Sequence, residues 1–310
     1  MRDVTTVGID LAKNIFQVYG ADEKGNKIFT KRIKRSKLLE FMANLPPCLI
    51  GMEACGGAHY WARKFRSYGH EVKMMSPKFV KPYVKSNKND ANDAEACCEA
   101  VTRPTMRFVP IKEISQQDIL SMHRVRSRLV KQRTQLSNQV RGLLAEYGVV
   151  APKGITSIKK ALPYILEDAE NELTPTTREI FQDSYNELEV ISGKIREYDQ
   201  KIGRMATTDN RCEKILGIPG IGPLTATAFI AAIGSAEVFT KGRQLSAWLG
   251  VVPRQASSGN NIRLLGISKK GDRYLRCLFI HGARSVIKSS KNKKDSYSMK
   301  VNIFSSCYCQ

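Results

Sequence analysis

The sequence predicts an α/β domain followed by an all-α part, and three observations predict it. From residue 1 to about 110, short apolar runs with period-two alternation are interleaved with helical stretches. In the middle of the chain apolar residues return every seven positions on long polar helices. From Cys212 onward, short apolar helical segments are joined by Gly-rich turns. At 310 residues and 42% hydrophobic content the chain is long enough for more than one buried core.

The elements follow in order. Thr5 to Asp10 is an apolar strand ending in an acid, Ile15 to Tyr19 a second strand, and Lys27 to Ile33 a third beyond a turn at Asp22 to Asn26. Three strands so closely spaced form an antiparallel meander. Ser36 is placed to cap a helix over Lys37 to Asn44. Cys48 to Glu53 is a buried strand that again runs into an acid. His59 to Tyr68 reads as a helix and Glu71 to Met75 as another strand. A meander followed by strand–helix alternation makes a mixed sheet with helices on its faces.

Met122, Leu129, Leu136 and Leu143 recur every seven residues. Leu188, Ile191, Ile195, Tyr198, Ile202 and Met205 alternate three and four apart. Both patterns are coiled-coil seams, and two long helices with few other apolar faces are expected to pair with a second copy of the chain, the alternative being that each packs against its neighbour inside one chain. Ala151 to Pro175, with three prolines, reads as a hinge between them. The domain boundaries expected are 1–112, 113–210, 211–288 and a tail, 289–310. The tail lacks a helical period and is expected to be poorly ordered.

Charge narrows the function classes. Lys plus Arg is 50 against 29 Asp plus Glu, a formal net charge of +21. A surplus of that size favours a phosphate backbone as partner. Between Thr240 and Lys300 fourteen basic residues face only Asp272 and Asp295, which suits a nucleic-acid surface. The eight cysteines form no CxxC pair, and with four histidines a zinc site is disfavoured. Scattered cysteines without a signal peptide read as reduced thiols in the cytosol. No apolar run is long enough for a membrane helix.

Three motifs carry chemistry. Asp10 and Glu53 close two strands, where ligands and catalytic groups gather in open sheets. Asp90 and Asp93, three apart in NKNDANDAEA, share one helix face. Four converging carboxylates would repel one another unless cations lay between them. Two magnesium (or manganese) ions would meet that requirement and could align a phosphodiester. Taken singly, each acid is as readily a cap or a solvated group, with Asp90 able to cap its own helix. Glu95 and Glu99 lie one and two turns further along as decoys.

The second motif is Gly217 to Gly222, read as a helix-hairpin-helix whose backbone N–H groups around Gly220 and Gly222 face phosphate. Thr225 and Thr227 behind it offer hydroxyls. The alternative is a tight turn between packed helices. The third is PRQASSGNN, Pro253 to Asn261, among Arg254, Arg263, Lys269, Lys270, Arg273 and Arg276. A serine there could attack a phosphodiester, although such a run is more often an ordinary turn.

The segments GIDLAKN, GMEACGGAHYWAR, NKNDANDAEA, LGIPGIGPLTA and WLGVVPRQASSGNNIRLLGISKKGDRYLR together resemble the DEDD transposases of insertion-sequence family 110, with details nearest subgroup 1111. The resemblance runs in order from about Thr5 to Ile287. It implies a RuvC-like, ribonuclease-H-like domain with a magnesium-binding tetrad at Asp10, Glu53, Asp90 and Asp93. It also implies a C-terminal transposase domain whose nucleophile falls on Ser258, DNA element ends and target as substrates, and a structured non-coding guide RNA. A homo-oligomer built through the coiled coil and a cytoplasmic, nucleoid-associated location in bacteria complete the expectation. The sequence departs from the family after His281 to Arg284, where KSSKNKKDSYSMKVNIFSSCYCQ looks like an altered terminus. Two further readings stay open: a junction nuclease using the acidic site alone, and a truncated transposase that only binds nucleic acid. An actin-like ATPase is disfavoured, because Ala12 and Lys13 stand where a Gly and a hydroxyl residue would follow the strand acid.

Overall fold

The computed structural model describes residues 3–85, 89–259 and 261–291. The chain forms two compact units, Met1–Ile114 and Ser115–Gln310.

In the first unit, β1 (Thr6–Asp10) pairs antiparallel with β2 (Ile15–Ala21), and β2 with β3 (Lys27–Lys34), giving the predicted meander. On its other side β1 runs parallel to β4 (Leu49–Glu53), which runs parallel to β5 (Glu71–Met75). A two-residue strand, β6 (Phe108–Val109), adds antiparallel to β5. It is too short to show a sequence period. The mixed sheet has the order β3-β2-β1-β4-β5-β6, consistent with a ribonuclease-H-like domain.

Helices α1 (Arg35–Ala43) and α2 (Ala58–Ser67) cover one face. Leu38, Met42, Trp61 and Phe65 pack there against Val7, Ile9 and Phe16. Ser36 does not cap α1. The helix starts two residues earlier than expected, at Arg35, with Lys34 at the N-cap and no side-chain cap bond. After a short helix, α3 (Pro77–Val80), comes α4 (Asp90–Val101). Because side chains alternate along β1, Gly8 faces away from Val7 and Ile9 and toward α4. A Cβ on Gly8 would sit 2.0 Å from the Ala94 carbonyl oxygen, and one on Gly51 2.6 Å from that of Cys97. Glycine on both strands therefore lets the helix backbone lie directly on the sheet. Gly8→Ala is expected to destabilise the unit by about 1–3 kcal/mol through overpacking, read as a lower urea midpoint.

The second unit is built on α5 (Ile114–Glu146) and α7 (Pro175–Thr208), with α6 (Ile155–Glu167) between them. The segment expected to be a hinge is this α6. It carries Pro163 inside the helix and buries Ile158 and Leu162 completely, joining Val140, Leu144 and Phe181 in one core. The two seams meet within the chain, since Leu129 packs on Ile191 and Ile195. Along α5 the buried positions drift from the seven-residue register: Leu144 is buried where Leu143 is 41% exposed. A helix of 3.6 residues per turn drifts in this way unless a supercoil holds it.

Helices α8 (Asn210–Leu216), α9 (Pro223–Ile233), α10 (Gly242–Leu249) and α11 (Arg273–Ser290) follow, with a two-stranded hairpin of β7 (Pro253–Gln255) and β8 (Leu264–Ile267) between the last two. Thr174, Asp209 and Asp272 accept backbone N–H bonds at the starts of α7, α8 and α11, as capping residues do. The expected tail beyond residue 291 lies outside the described residues.

One buried polar chain ties four of these helices. Thr227 Oγ1 donates to the Pro223 carbonyl at 2.7 Å, so its lone pair accepts from His123 Nε2 at 3.0 Å. His123 Nδ1 then accepts from the Tyr274 hydroxyl at 3.0 Å, and Arg126 beside it pairs with Asp199. Burial, aided by the Arg126 charge, pushes the His123 imidazole down to about 4 from 6.5. The unfolded chain therefore takes up a proton that the folded chain refuses. The stability tied to His123 is whole above pH 6.5 and is lost as pH falls through 4, to a total of about 3 kcal/mol. Urea unfolding should show that slope in the parent protein and a flatter one in His123→Gln.

Candidate active site

The acidic site is made by a repeated short pattern. Gly8-Ile9-Asp10 ends β1 and Gly51-Met52-Glu53 ends β4, and the two strands are parallel neighbours with Ile9 opposite Met52. Each acid lies two residues after a glycine and so projects on the same face, the one that α4 covers. Asp10 and Glu53 thus lie side by side at the carboxyl ends of adjacent strands, both half-buried.

Helix α4 brings the third carboxylate. Asn89, not Asp90, is its N-cap and accepts from the Asn92 N–H at 2.8 Å. Asp90 and Asp93 both occupy the first turn, where the helix dipole favours negative charge. Asp93 is half-buried and Asp90 exposed. One turn after Asp93, Cys97 lies within reach of the Glu53 backbone. Burial pushes the Cys97 thiol well up, and the charges of Glu53, Asp10 and Asp93 add to it in that order. One buried sulfur therefore feels three of the four predicted acids. Glu95 and Glu99 are engaged elsewhere: Lys85 bridges them at 3.1 and 3.2 Å, and Arg103 also holds Glu99.

Among the described residues, no group of three or more His, Cys, Asp or Glu side chains is arranged to hold a metal ion. The donor set is nonetheless all carboxylate, set on two strand ends and a helix turn, and such hard oxygens fit Mg²⁺ or Mn²⁺ rather than zinc. The sequence signal for this placement was the doubled Gly-x-acid pattern. It marks both the acid and the glycine that admits α4.

The serine site lies in the second unit. Ser258 and Asn261 exchange backbone hydrogen bonds across the tip of the β7–β8 hairpin, at 3.3 and 3.1 Å. Gly259, between them, has φ +54°, which glycine adopts without strain. Ser257 Oγ accepts from Gln255 Nε2 at 2.9 Å and from the Arg263 backbone N–H at 3.3 Å, so this hydroxyl braces the tip. Ser258 itself is exposed.

Of the six cations predicted around it, Arg254, Arg263, Lys269, Lys270 and Arg273 are exposed. Arg276 is not available to a ligand. It is buried, and its guanidinium donates to the Leu249 carbonyl at 3.0 Å and the Lys270 carbonyl at 3.4 Å. Helical spacing sets Arg276 on the inner face of α11 beside the fully packed Leu275.

The Gly-rich turn joins α8 to α9, with Gly222 as the exposed N-cap of α9. Gly220 is held by packing: its φ is +86°, and a Cβ there would lie 2.8 Å from the Gly282 carbonyl oxygen on α11. Thr225 and Thr227 are buried on α9, so they are not the phosphate donors the sequence suggested.

The six described cysteines are free thiols. No helix among the described residues is long and apolar enough to cross a membrane.

Comparison with known proteins agrees across both units. Residues 7–149 match the DEDD_Tnp_IS110 family, described as a transposase, and residues 212–298 match the "Transposase IS116/IS110/IS902 family". The chain is 46% identical to the "Probable family 20 transposase" of Pseudomonas aeruginosa over 96% of this chain and 88% of that one. It is 44% identical to the "Transposase for insertion sequence element IS1111A" of Coxiella burnetii, over 96% and 82%. With the "Transposase for insertion sequence element IS1328" of Yersinia enterocolitica it shares 40% identity over 92% and 84%. With two family matches and relatives this similar along almost its entire length, the chain belongs to the IS116/IS110/IS902 family of insertion-sequence transposases.

Proposed function

We propose that this transposase cleaves and rejoins DNA at insertion-sequence ends with two sets of residues. Asp10, Glu53, Asp90 and Asp93 hold divalent cations, Mg²⁺ or Mn²⁺, and Ser258 is the nucleophile. The observation that carries the reading is the side-by-side placement of Asp10 and Glu53 at parallel strand ends, with Asp93 laid across them by α4. Bound cations would supply charge neutralisation for the phosphodiester and its leaving oxygen.

The serine step conserves bond energy. Ser258 Oγ loses its proton to solvent or a nearby base and forms a bond to phosphorus. The bridging P–O bond of the DNA breaks, and the leaving oxygen takes up a proton. One phosphoester replaces another, so a second DNA hydroxyl can later displace the serine and restore it. The exposed Arg254 and Arg263 on the same hairpin would stabilise the charge that develops on phosphorus. Gly220, Gly222, Lys269, Lys270 and Arg273 would hold backbone phosphate, whereas Arg276 serves the fold.

The proposal includes the structured guide RNA and the homo-oligomer that the resemblance implies, in a cytoplasmic, nucleoid-associated setting. Support for a second chain comes from Leu143, Ile180 and Val190, which stand 41%, 48% and 56% exposed on α5 and α7 although their inner faces are paired. The test is a protein–DNA adduct that survives denaturant. It should form with DNA carrying the element ends in the presence of Mg²⁺. Cleavage without any adduct would favour the junction-nuclease reading.

A further inference from the structure

The first unit contains a surface that neither the acidic tetrad nor the C-terminal cations use. Six basic residues and no acid lie between Lys27 and Lys37, along edge strand β3 and into α1. Lysines on an edge strand discourage stray pairing, and that accounts for Lys27, Lys31 and Arg32. It does not account for what lies beside them. At the end of β3 a shallow groove of about 710 Å³ is lined by Asn14, Ile15, Lys34, Arg35, Tyr60 and Trp61, among others. The Arg35 guanidinium lies 5.0 Å from the Trp61 ring centre and 6.0 Å from that of Phe16. Tyr60 meets Trp61 edge to face at 5.1 Å and remains 41% exposed, as does Ile15 at 42%. Trp61 is 4% exposed and Phe16 fully buried, so Tyr60 is the ring the groove offers. An aromatic ring open to solvent beside cations can hold an unstacked base and its phosphates.

The position of the groove selects its occupant. Asn14 and Ile15 follow Asp10 by four and five residues, and Ile15 pairs with Lys34 across the sheet. Tyr60 and Trp61 open α2, the helix that follows Glu53. All of these lie at the carboxyl ends of β1 and β4. The carboxylates face α4 and the groove lies on the α1–α2 side, so a DNA strand engaged by the carboxylates reaches the groove by passing round this end of the sheet. We infer that this groove is a single-stranded DNA subsite, in which Tyr60, backed by the buried Trp61, stacks an unpaired base and Lys34 and Arg35 take the adjoining phosphates.

The inference rests on the reading of Asp10 and Glu53 as the place where DNA is cut, so it is tested by binding alone, without divalent metal. Full-length protein in EDTA is titrated with a fluorescent single-stranded DNA of about a dozen nucleotides, with RNA of the same sequence and with the duplex. A photoreactive thymine analogue in the DNA maps the contact by mass spectrometry. The expected result is a roughly 5- to 100-fold loss of single-stranded DNA affinity in Tyr60→Ala. Tyr60→Phe should bind as the parent, because stacking needs the ring and not the hydroxyl. Lys34→Gln should lower the salt slope by about 0.7, and the cross-link should fall within residues 14–15, 34–36 or 60–61. Unchanged single-stranded DNA binding in Tyr60→Ala, a loss confined to RNA or duplex, or a cross-link elsewhere would overturn the inference. Because no cleavage is measured, an inactive carboxylate site would leave this outcome untouched.

Discussion

Ser258→Ala is expected to remove the denaturant-resistant protein–DNA adduct entirely and to lower strand exchange by at least about 10⁴-fold, the scale on which losing a covalent nucleophile acts. DNA binding should stay within about twofold of the parent. Ser258 is exposed at a hairpin tip, and its backbone N–H and carbonyl keep their bonds to Asn261 whichever side chain is present. The variant should therefore fold as the parent does. Ser257→Ala is the informative neighbour. Its hydroxyl braces the hairpin through Gln255 and Arg263, so its loss should lower the rate by a smaller factor and leave the adduct detectable. If Ser258→Ala recombined DNA at the parent rate, the nucleophile would have to be sought elsewhere.

Asp10→Asn is expected to reduce cleavage by about 10³-fold, since several kcal/mol of transition-state stabilisation pass through such a ligand and each 1.36 kcal/mol is tenfold. Mg²⁺ binding, followed by calorimetry, should weaken with it. Asn keeps the shape of Asp and removes the charge, so the variant tests the charge rather than the packing. An unchanged Mg²⁺ titration would count against the tetrad. Asp90→Asn serves as the internal comparison: Asp90 is exposed where Asp10 is half-buried, so its effect should be the smaller of the two.

Much of the first unit was readable in advance because its signals are local. The strand over Glu71 to Met75 was placed to the residue, and those ending at Asp10 and Glu53 closed where expected, since β-branched and apolar runs there stop at turn residues. The start of α1 was missed because Ser36 looked like a cap, while the preceding strand delivers Lys34 to the cap position directly. The middle of the chain was less readable. A seven-residue period reveals an apolar seam but not its partner, and the partner is the other long helix of the same chain. Prolines at the first turn of one helix and inside another imitated a hinge, although one interior proline is tolerated when Ile158 and Leu162 anchor the turns around it.

The sequence by itself determined the strands and their closing acids, the net charge and the family. Each is carried by residue type and short-range order, which a linear chain displays. Only the tertiary structure decided which polar groups are available. Arg276, Thr225 and Thr227 look identical in sequence to solvent-facing donors, yet packing turns them inward and satisfies Arg276 and Thr227 with protein carbonyls. Tyr60 and Arg35, distant in sequence and unremarkable there, become one groove because the ends of two strands bring their loops together. Availability is a property of burial, and burial depends on which distant surfaces meet.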